Sequence, residues 1–536
     1  MRSARLRALA LCVVLAAAAA PGLLGSWVYD DQMMLSNPAY EGLGALLRVP
    51  RQDSNAYAPK RYGGPAPDAT YRPTTMLTLV ATHVLSPHAL AHHLVGLALH
   101  LLVAWLLFLA LCVRTPRTAA LVAAAFMLHP AGVEAWVWIN GRSDLVAGAV
   151  LAALAALLSS DRRPLLAIAT LGLLGAGAKE PFFIAATALT VSYAFDSRAA
   201  VARRRSAWTE TAVLGVGMAA LWLARAALVP TRVAFAAGGN ALTDVGLLGT
   251  LGKELLTAAD HLLLLRSEPM LALASLTVRG PTIAEVAAGA LALLGIGLLV
   301  RARDLRALAL VGGAVATLAP TVVLSRALWL GFDRYLYMPA ILLALTVGPY
   351  LERASERLDH MRWPGLASRA LLGVEALVLF TAASSYRSDA TFHRAMLLSR
   401  PNDASLYAYE ALSAARMRNP ELAHALLDAF PKPPWPEAVI VPLITTSRAL
   451  GDPVWLERAI SYGEARFPGS ALVRAHAMVW HFEHGDDPAA LRLAASFSSK
   501  DVTCAEVARQ VAVWARKAPE PRRVAWVAAA QQVRCR

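Results

Sequence analysis

Long apolar runs that recur through residues 1–385 limit the folds open to this chain more than any other feature. Most approach the roughly 20 residues that an α-helix needs to cross a bilayer. Only 16% of the chain is charged, against about 25% in soluble globular proteins, and the shortfall is concentrated in this region. The pattern predicts an all-α fold, in which residues 1–385 form a polytopic membrane helical bundle.

About eleven spans are predicted, and several are short, so their bounds are approximate. Three arginines precede the first span and place the N-terminus in the cytoplasm, and an odd number of spans then places the C-terminus outside. The predicted spans are 6–25, 87–113, 118–131, 143–159, 164–178, 181–196, 207–229, 282–300, 307–325, 336–351 and 367–385.

Arginines in the connecting loops support this orientation. Each loop that the alternation places in the cytoplasm is short and basic, as the positive-inside rule requires. The formal net charge of +14 is explained in the same way, and nucleic-acid binding is not expected, because no basic stripe interleaved with aromatic residues appears. The abundance of Arg and Ala indicates a GC-rich genome, so we expect a bacterial inner-membrane protein with a periplasmic C-terminal domain.

Two longer segments, 26–73 and 230–280, fall on the outer side. Both mix apolar and polar residues at roughly helical spacing, which predicts interfacial helices. Residues 6–25 also fit a cleaved signal peptide, because an Ala-rich run ends at Pro21-Gly22. We expect this span to be retained as an anchor, because the acidic pair that follows it, Asp30 and Asp31, needs a fixed span beside it.

Residues 386–536 have the composition of a soluble helical domain. Turn clusters recur at Asn419-Pro420, at Gly451-Asp452-Pro453 and at 485–488, and their prolines are 33 and 35 residues apart. This period predicts stacked helical hairpins of tetratricopeptide type; an irregular helical bundle is the alternative.

The last hairpin predicts a disulfide. Two antiparallel helices, 505–517 and 522–533, bring Cys504 next to Cys535, and the outer compartment is oxidising. Two free thiols are the alternative. Cys12 and Cys112 lie in apolar spans, and the chain has no CxxC pair, so a structural zinc site is not expected.

Ionisable residues at span ends are candidate functional groups, because charge is costly near the bilayer. Asp30 and Asp31 follow the first span directly. A carboxylate near an acceptor hydroxyl is the general base that glycosyl transfer requires. The alternative is an acidic pair in water at a span end.

Further polar groups recur at predicted outer span ends. Their alternatives are an interfacial aromatic belt, local ion pairs or, for His93 and His100, a metal site. Those two histidines share one helix face but are two turns apart, so they are too distant to hold one small ion, and a headgroup pocket is favoured. The candidate binding residues are Arg72, His93, His129, Glu134, Arg142, Asp144, Lys179, Glu180, Arg334 and Tyr335.

In this order the motifs resemble the GT-C superfamily of membrane glycosyltransferases, and most closely the O-mannosyltransferases that carry tetratricopeptide repeats, with their bacterial relatives. The likeness covers roughly residues 27–340. It departs at Thr74, Gly96 and Gly132, where such proteins commonly have Leu, Asn and His. The matching motifs are VYDD at 28–31, YRP at 71–73, His93 with His100, HPxxVEAxxWIxGRxD at 129–144, KE at 179–180 and DRYLYMP at 333–339.

The resemblance implies a sugar donor on a polyprenyl phosphate in the outer leaflet and a protein or glycan acceptor that arrives from water. Asp30 or Asp31 would take the acceptor proton, and groups such as Arg72, Lys179 and Arg334 would stabilise the leaving phosphate. A divalent metal is optional, and no cofactor is required.

Two other classes remain open. A membrane scaffold that presents its repeats to partners needs no series of outer-side acids and bases. A transporter would place ionisable residues in mid-span, whereas these cluster at the outer ends.

The orientation is testable with a reporter that is active only outside the cytoplasm. We expect activity when it is fused after Arg536 and silence when it is fused within 198–205, because the spans alternate from an inside N-terminus. The reverse pattern would disprove the eleven-span arrangement.

Overall fold

A computed structural model describes most of the chain, and every described regular element is helical, which confirms the all-α prediction. The described residues are 2–28, 31, 35, 40–49, 71–160, 162–196, 201–228, 246–263, 265–266, 282–328, 333–357, 363–388, 391–392, 394–395, 397, 404–416, 419–435, 437–498, 504–520 and 522–532.

The described residues form two compact units, one up to 395 and one from 397 onward. Helices are numbered here along the described chain. Those of the first unit are α1 (Arg2–Leu23), α2 (Ala45–Arg48), α3 (Pro73–Leu85), α4 (Ala89–Cys112), α5 (Ala119–Leu128), α6 (Val133–Val137), α7 (Arg142–Ser159), α8 (Leu165–Ala176), α9 (Phe182–Ala194), α10 (Val201–Leu228), α11 (Gly246–Leu263), α12 (Ile283–Arg301), α13 (Leu305–Leu328), α14 (Tyr337–Arg357) and α15 (Trp363–Ser385).

Within the described residues, five helical segments are long enough and apolar enough to cross a membrane: Ala89–Cys112, Ile139–Ser159, Arg205–Arg225, Ile283–Arg301 and Ala367–Ser385. A bent pair, Ala119–Leu128 with Pro130–Val137, makes a sixth if it is counted as one span. The predicted spans at 164–178 and 181–196 correspond to the shorter apolar helices α8 and α9. The count of eleven stays a prediction.

Helix α7 is the centre of the first unit. It packs against α4, α8, α9 and α14, and most of its side chains are buried. Its composition permits this close packing, because Gly148 lies directly against Tyr337: a Cβ atom at position 148 would be 2.5 Å from the tyrosine ring. The start of α7 follows two short 3₁₀ turns, Pro130–Gly132 and Ile139–Gly141, which surround α6.

Of the two predicted outer segments, the described parts contain α2 and α11. Helix α11 lies within the predicted segment 230–280 and packs against α12 and α13. It also contributes Ala258 to a small apolar cluster with Ala131 and Leu336.

The second unit consists of helices that pack in consecutive pairs. The second helix of each of the first three pairs begins at an Asx residue followed by a proline within two positions. The side chains of Asn419, Asp452 and Asp486 each accept a hydrogen bond from a backbone N–H three residues on, which satisfies a donor at the helix start. The pairs are α16 (Ala404–Arg416) with α17 (Pro420–Asp428), α18 (Glu437–Leu450) with α19 (Pro453–Arg466), α20 (Ala471–Glu483) with α21 (Asp487–Ala495), and α22 (Cys504–Lys517) with α23 (Arg522–Gln532).

The last pair makes polar contacts to α21 of the preceding pair and contains a disulfide-bonded cysteine. Arg522 makes two hydrogen bonds to Asp487, at 2.5 and 2.6 Å, and Trp526 donates to the same carboxylate at 3.2 Å. Cys504 is disulfide-bonded, whereas Cys112 is free. The predicted partner, Cys535, lies outside the described residues, so the pairing itself stays a prediction.

Non-reducing peptide mapping of the membrane-extracted protein tests that pairing. We expect one cross-linked peptide that contains Cys504 and Cys535. In the chain-entropy account, closing such a loop stabilises the last helix pair by about 3–4 kcal/mol, so Cys535→Ser should lower the unfolding temperature. Cys112→Ser is the matched control and should leave it nearly unchanged. Alkylation of both tail thiols without prior reduction would contradict the pairing.

Candidate functional site

Two segments far apart in sequence meet at the start of α3. The Thr74 N–H donates to the Gly177 carbonyl at 3.0 Å, and the Thr75 hydroxyl donates to the Ala178 carbonyl at 3.0 Å. These bonds place Arg72 beside Glu180, where its Nε and a terminal nitrogen contact one carboxylate oxygen at 3.1 and 2.8 Å. The predicted YRP and KE motifs therefore form one structure.

Lys179 precedes Glu180 in the chain. Its ammonium forms an ion pair with Asp144, which lies on the first turn of α7. Both side chains are buried, and the ammonium is 4.5 Å from the centre of the Tyr335 ring. Burial lowers the pKa of Lys179 to about 8, although Asp144 acts in the opposite direction, and the charges of Arg334 and Arg72 lower it further. The three cations are therefore close enough to influence one another.

Arg334 completes this group. Its guanidinium lies over the Trp138 ring, 4.0 Å from the ring centre, and its Nε is 3.9 Å from Oε1 of the buried Glu134. The other Glu134 oxygen accepts a hydrogen bond from the Tyr386 hydroxyl at 3.4 Å. The pairing of acids with bases allows this much charge to be buried.

We call Arg72, Lys179 and Arg334 the cation group. Among their neighbours are the carboxylates of Glu180, Asp144 and Glu134. Sequence analysis predicted every one of these six residues, and the structure brings them together around Tyr335. Three closely spaced cations beside aromatic rings suit a phosphate group.

Asp31 binds to the turn 138–142, whose Trp138 ring lies next to Arg334. It is fully buried, and its two carboxylate oxygens accept hydrogen bonds from the backbone N–H groups of Val28, at 3.3 Å, and Ile139, at 3.1 Å. Asp30 lies outside the described residues.

Arg142 is also buried, and its partners lie within the bundle. It donates to the His92 carbonyl at 2.8 Å and lies 3.5 Å from the Thr82 hydroxyl. It therefore joins the start of α7 to α3 and α4. Arg142 was predicted to bind substrate. In the structure its side chain bonds to neighbouring helices, and its charge interacts with that of Asp31.

The other predicted histidines differ in their surroundings. His129 caps the turn at Pro130, accepting from Ala131 N–H at 3.2 Å, and its Nε2 contacts the Leu262 carbonyl at 3.2 Å. The Nδ1 of His93 contacts the Leu23 carbonyl at 3.4 Å. His100 is hydrogen-bonded to the Tyr337 hydroxyl at 2.7 Å. Within the described residues, no group of three or more His, Cys, Asp and Glu side chains could hold a metal ion.

Gly96 explains one departure from the GT-C pattern. It lies where α4 touches the backbone of α6, and a Cβ atom at this position would be 2.2 Å from the Trp136 carbonyl oxygen. An Asn here would require the backbone to move. His92 and His93 lie one helical turn before this close approach.

Two residues that contact the candidate site were missed by sequence analysis. Tyr386 follows the last predicted span and was assigned no role, and the Leu262 carbonyl belongs to a segment that was predicted only as interfacial. Both act through contacts that are 252 and 133 residues distant in sequence, and no local pattern predicts such contacts.

Comparison with protein-family models, with curated proteins and with solved structures finds no match to this chain. The functional interpretation therefore depends on the motifs and on the geometry of these side chains.

Proposed function

We propose that the protein is a membrane glycosyltransferase of GT-C type, which transfers a sugar from a polyprenyl-phosphate donor to a protein or glycan acceptor on the extracytoplasmic side. The observation that carries the proposal is the grouping of Arg72, Lys179 and Arg334, each beside a carboxylate, with the buried Asp31 bound to the turn 138–142 that also carries the ring next to Arg334. A scaffold has no need of such a buried polar centre, whose assembly costs desolvation energy.

The cation group is suited to the donor phosphate. In the transfer, the bond between the anomeric carbon and the phosphate oxygen breaks, and the electron pair leaves with the lipid phosphate. Positive groups that are already in position stabilise this charge without reorganisation. A monophosphate leaving group develops little charge, so a divalent ion is optional.

The acceptor side requires a base. As the acceptor oxygen attacks the anomeric carbon, its proton passes to a carboxylate, which we assign to Asp30 or Asp31. Asp31 is held in position by two backbone N–H groups, and the turn that binds it also supplies the ring under Arg334.

The remaining parts of the proposal concern the membrane topology and the role of the second unit. About eleven spans place the second unit in the periplasm of a bacterium, where its helix pairs, of tetratricopeptide type, dock the acceptor. The Asx-Pro caps of the first three pairs favour a repeated unit over an irregular bundle.

Substitution of the two aspartates tests the base. At least one of Asp30→Asn and Asp31→Asn should reduce transfer about 10²–10⁴-fold. Asp31→Asn should also destabilise the fold by about 1–3 kcal/mol, because an amide NH₂ would then face a backbone N–H. Transfer assays with thermal unfolding in parallel separate the two effects. Wild-type rates in both variants would show that the carboxylate assignment is wrong.

The pKa of Lys179 predicts a pH effect. Its ammonium loses its proton as the pH rises through about 8, so the phosphate site loses one charge. We expect the KM for the lipid donor to rise by up to about tenfold between roughly pH 7 and pH 9. Lys179→Arg should flatten this profile, because guanidinium stays protonated.

Lys432→Arg, at an exposed position of the second unit, is the control and should keep the wild-type profile. An unchanged slope in Lys179→Arg would remove Lys179 from phosphate binding.

A further inference from the structure

Three histidines lie together near the start of α4 and are not explained by the phosphate chemistry. His92 and His93 are fully buried. The ring centre of His92 is 6.0 Å from that of His83 on α3 and 5.6 Å from that of Trp27, and His93 is 6.5 Å from Trp27. We call Trp27, His83, His92 and His93 the histidine group.

Several of these ring nitrogens are buried without a hydrogen-bond partner among the described residues. They are both nitrogens of His92, Nε2 of His93 and Nδ1 of His83. A buried polar atom of this kind is destabilising when it is unsatisfied, so a cluster of them calls for a polar ligand.

The tautomer of His93 indicates what that ligand presents. The Leu23 carbonyl can only accept, so Nδ1 of His93 carries the proton. In the neutral ring, Nε2 then holds a lone pair. A lone pair repels an anionic oxygen but accepts from a hydroxyl. His92, with one donor and one acceptor nitrogen, also suits hydroxyl groups, and the half-buried Trp27 offers apolar ring surface.

The turn 138–142 joins the histidine group to the cation group. Arg142, at one end, donates to the His92 carbonyl at 2.8 Å, and Trp138, at the other end, lies under Arg334. Asp31 binds this same turn at Ile139. A ligand with a phosphate at one end and hydroxyls at the other matches this order.

We propose that Trp27, His83, His92 and His93 recognise hydroxyl groups of the transferred sugar, separately from the residues that bind the phosphate. This inference rests on the proposed function and adds the residues that select the sugar. The histidines contribute binding, and no proton transfer is assigned to them.

Binding of two kinds of lipid to the purified full-length protein tests the inference. The probes are undecaprenyl phosphate itself and undecaprenyl phosphates that carry glucose, mannose or galactose. We expect wild type to bind at least one sugar-bearing lipid about tenfold more tightly than the bare lipid. In His92→Phe and His93→Phe this preference should disappear, while the affinity for the bare lipid stays the same and thereby shows that the variants are folded.

Three further variants sharpen the result. His92→Gln retains a donor and an acceptor and should restore part of the preference. His88→Phe, at an exposed position at the start of α4, should keep all of it. Lys179→Met should weaken both kinds of lipid equally.

The outcomes separate the two proposals. If wild type binds neither kind of lipid, the proposed function itself is overturned. If wild type binds both kinds equally, or if the sugar preference persists in both phenylalanine variants, the histidine group has no role in sugar recognition and the proposed function still stands. If His92→Phe also loses its affinity for the bare lipid, it does not report on sugar recognition. The sugar preference of His93→Phe and His83→Phe then decides whether the histidine group recognises the sugar.

Discussion

The buried ion pair between Lys179 and Asp144 is the interaction on which the polar centre of the first unit depends. It joins the turn that separates α8 from α9 to the first turn of α7, the most buried of the candidate spans. Once the turn is fixed there, the carbonyls of Gly177 and Ala178 can accept from Thr74 and Thr75. Removal of either partner would leave an uncompensated buried charge, which typically costs about 3–5 kcal/mol.

Charge balance in this centre has a functional consequence. Each cation is already paired with a carboxylate, so a phosphate must compete with an acid that belongs to the protein. The Arg72–Glu180 pair is the one most open to solvent, since the side chains are 22% and 42% exposed. An exposed pair contributes little stability, about 0–1 kcal/mol. If the proposed donor binds here, exchange of Glu180 for its phosphate at Arg72 is therefore the least costly way to admit it.

Sequence patterns predict the parts of this molecule that depend on local chemistry. Apolar runs predict the helices, and the Asx-Pro turns predict the start of α17, α19 and α21, because a capping side chain acts within three residues. The residue types in the cation group follow from charge at span ends. The pairing of Arg72 with Glu180, 108 residues apart, does not follow, because packing alone decides it. The same holds for Asp31, whose burial against Ile139 cannot be distinguished in sequence from a solvated acidic pair.

Gly96 lies close to the histidine group and to the segment that leads into the turn 138–142. Helix α4 can touch the Trp136 carbonyl only because residue 96 has no side chain. His92 and His93 lie one turn before this contact, and Trp136 belongs to the segment that leads into the turn 138–142. An Asn at this position would require α4 to lie farther from α6, which would move His92 and His93 relative to Trp27. Under the proposed function, the departure from the GT-C pattern at Gly96 would therefore change the geometry of the histidine group, whereas Arg72, Lys179 and Arg334 keep the residues of the matching motifs.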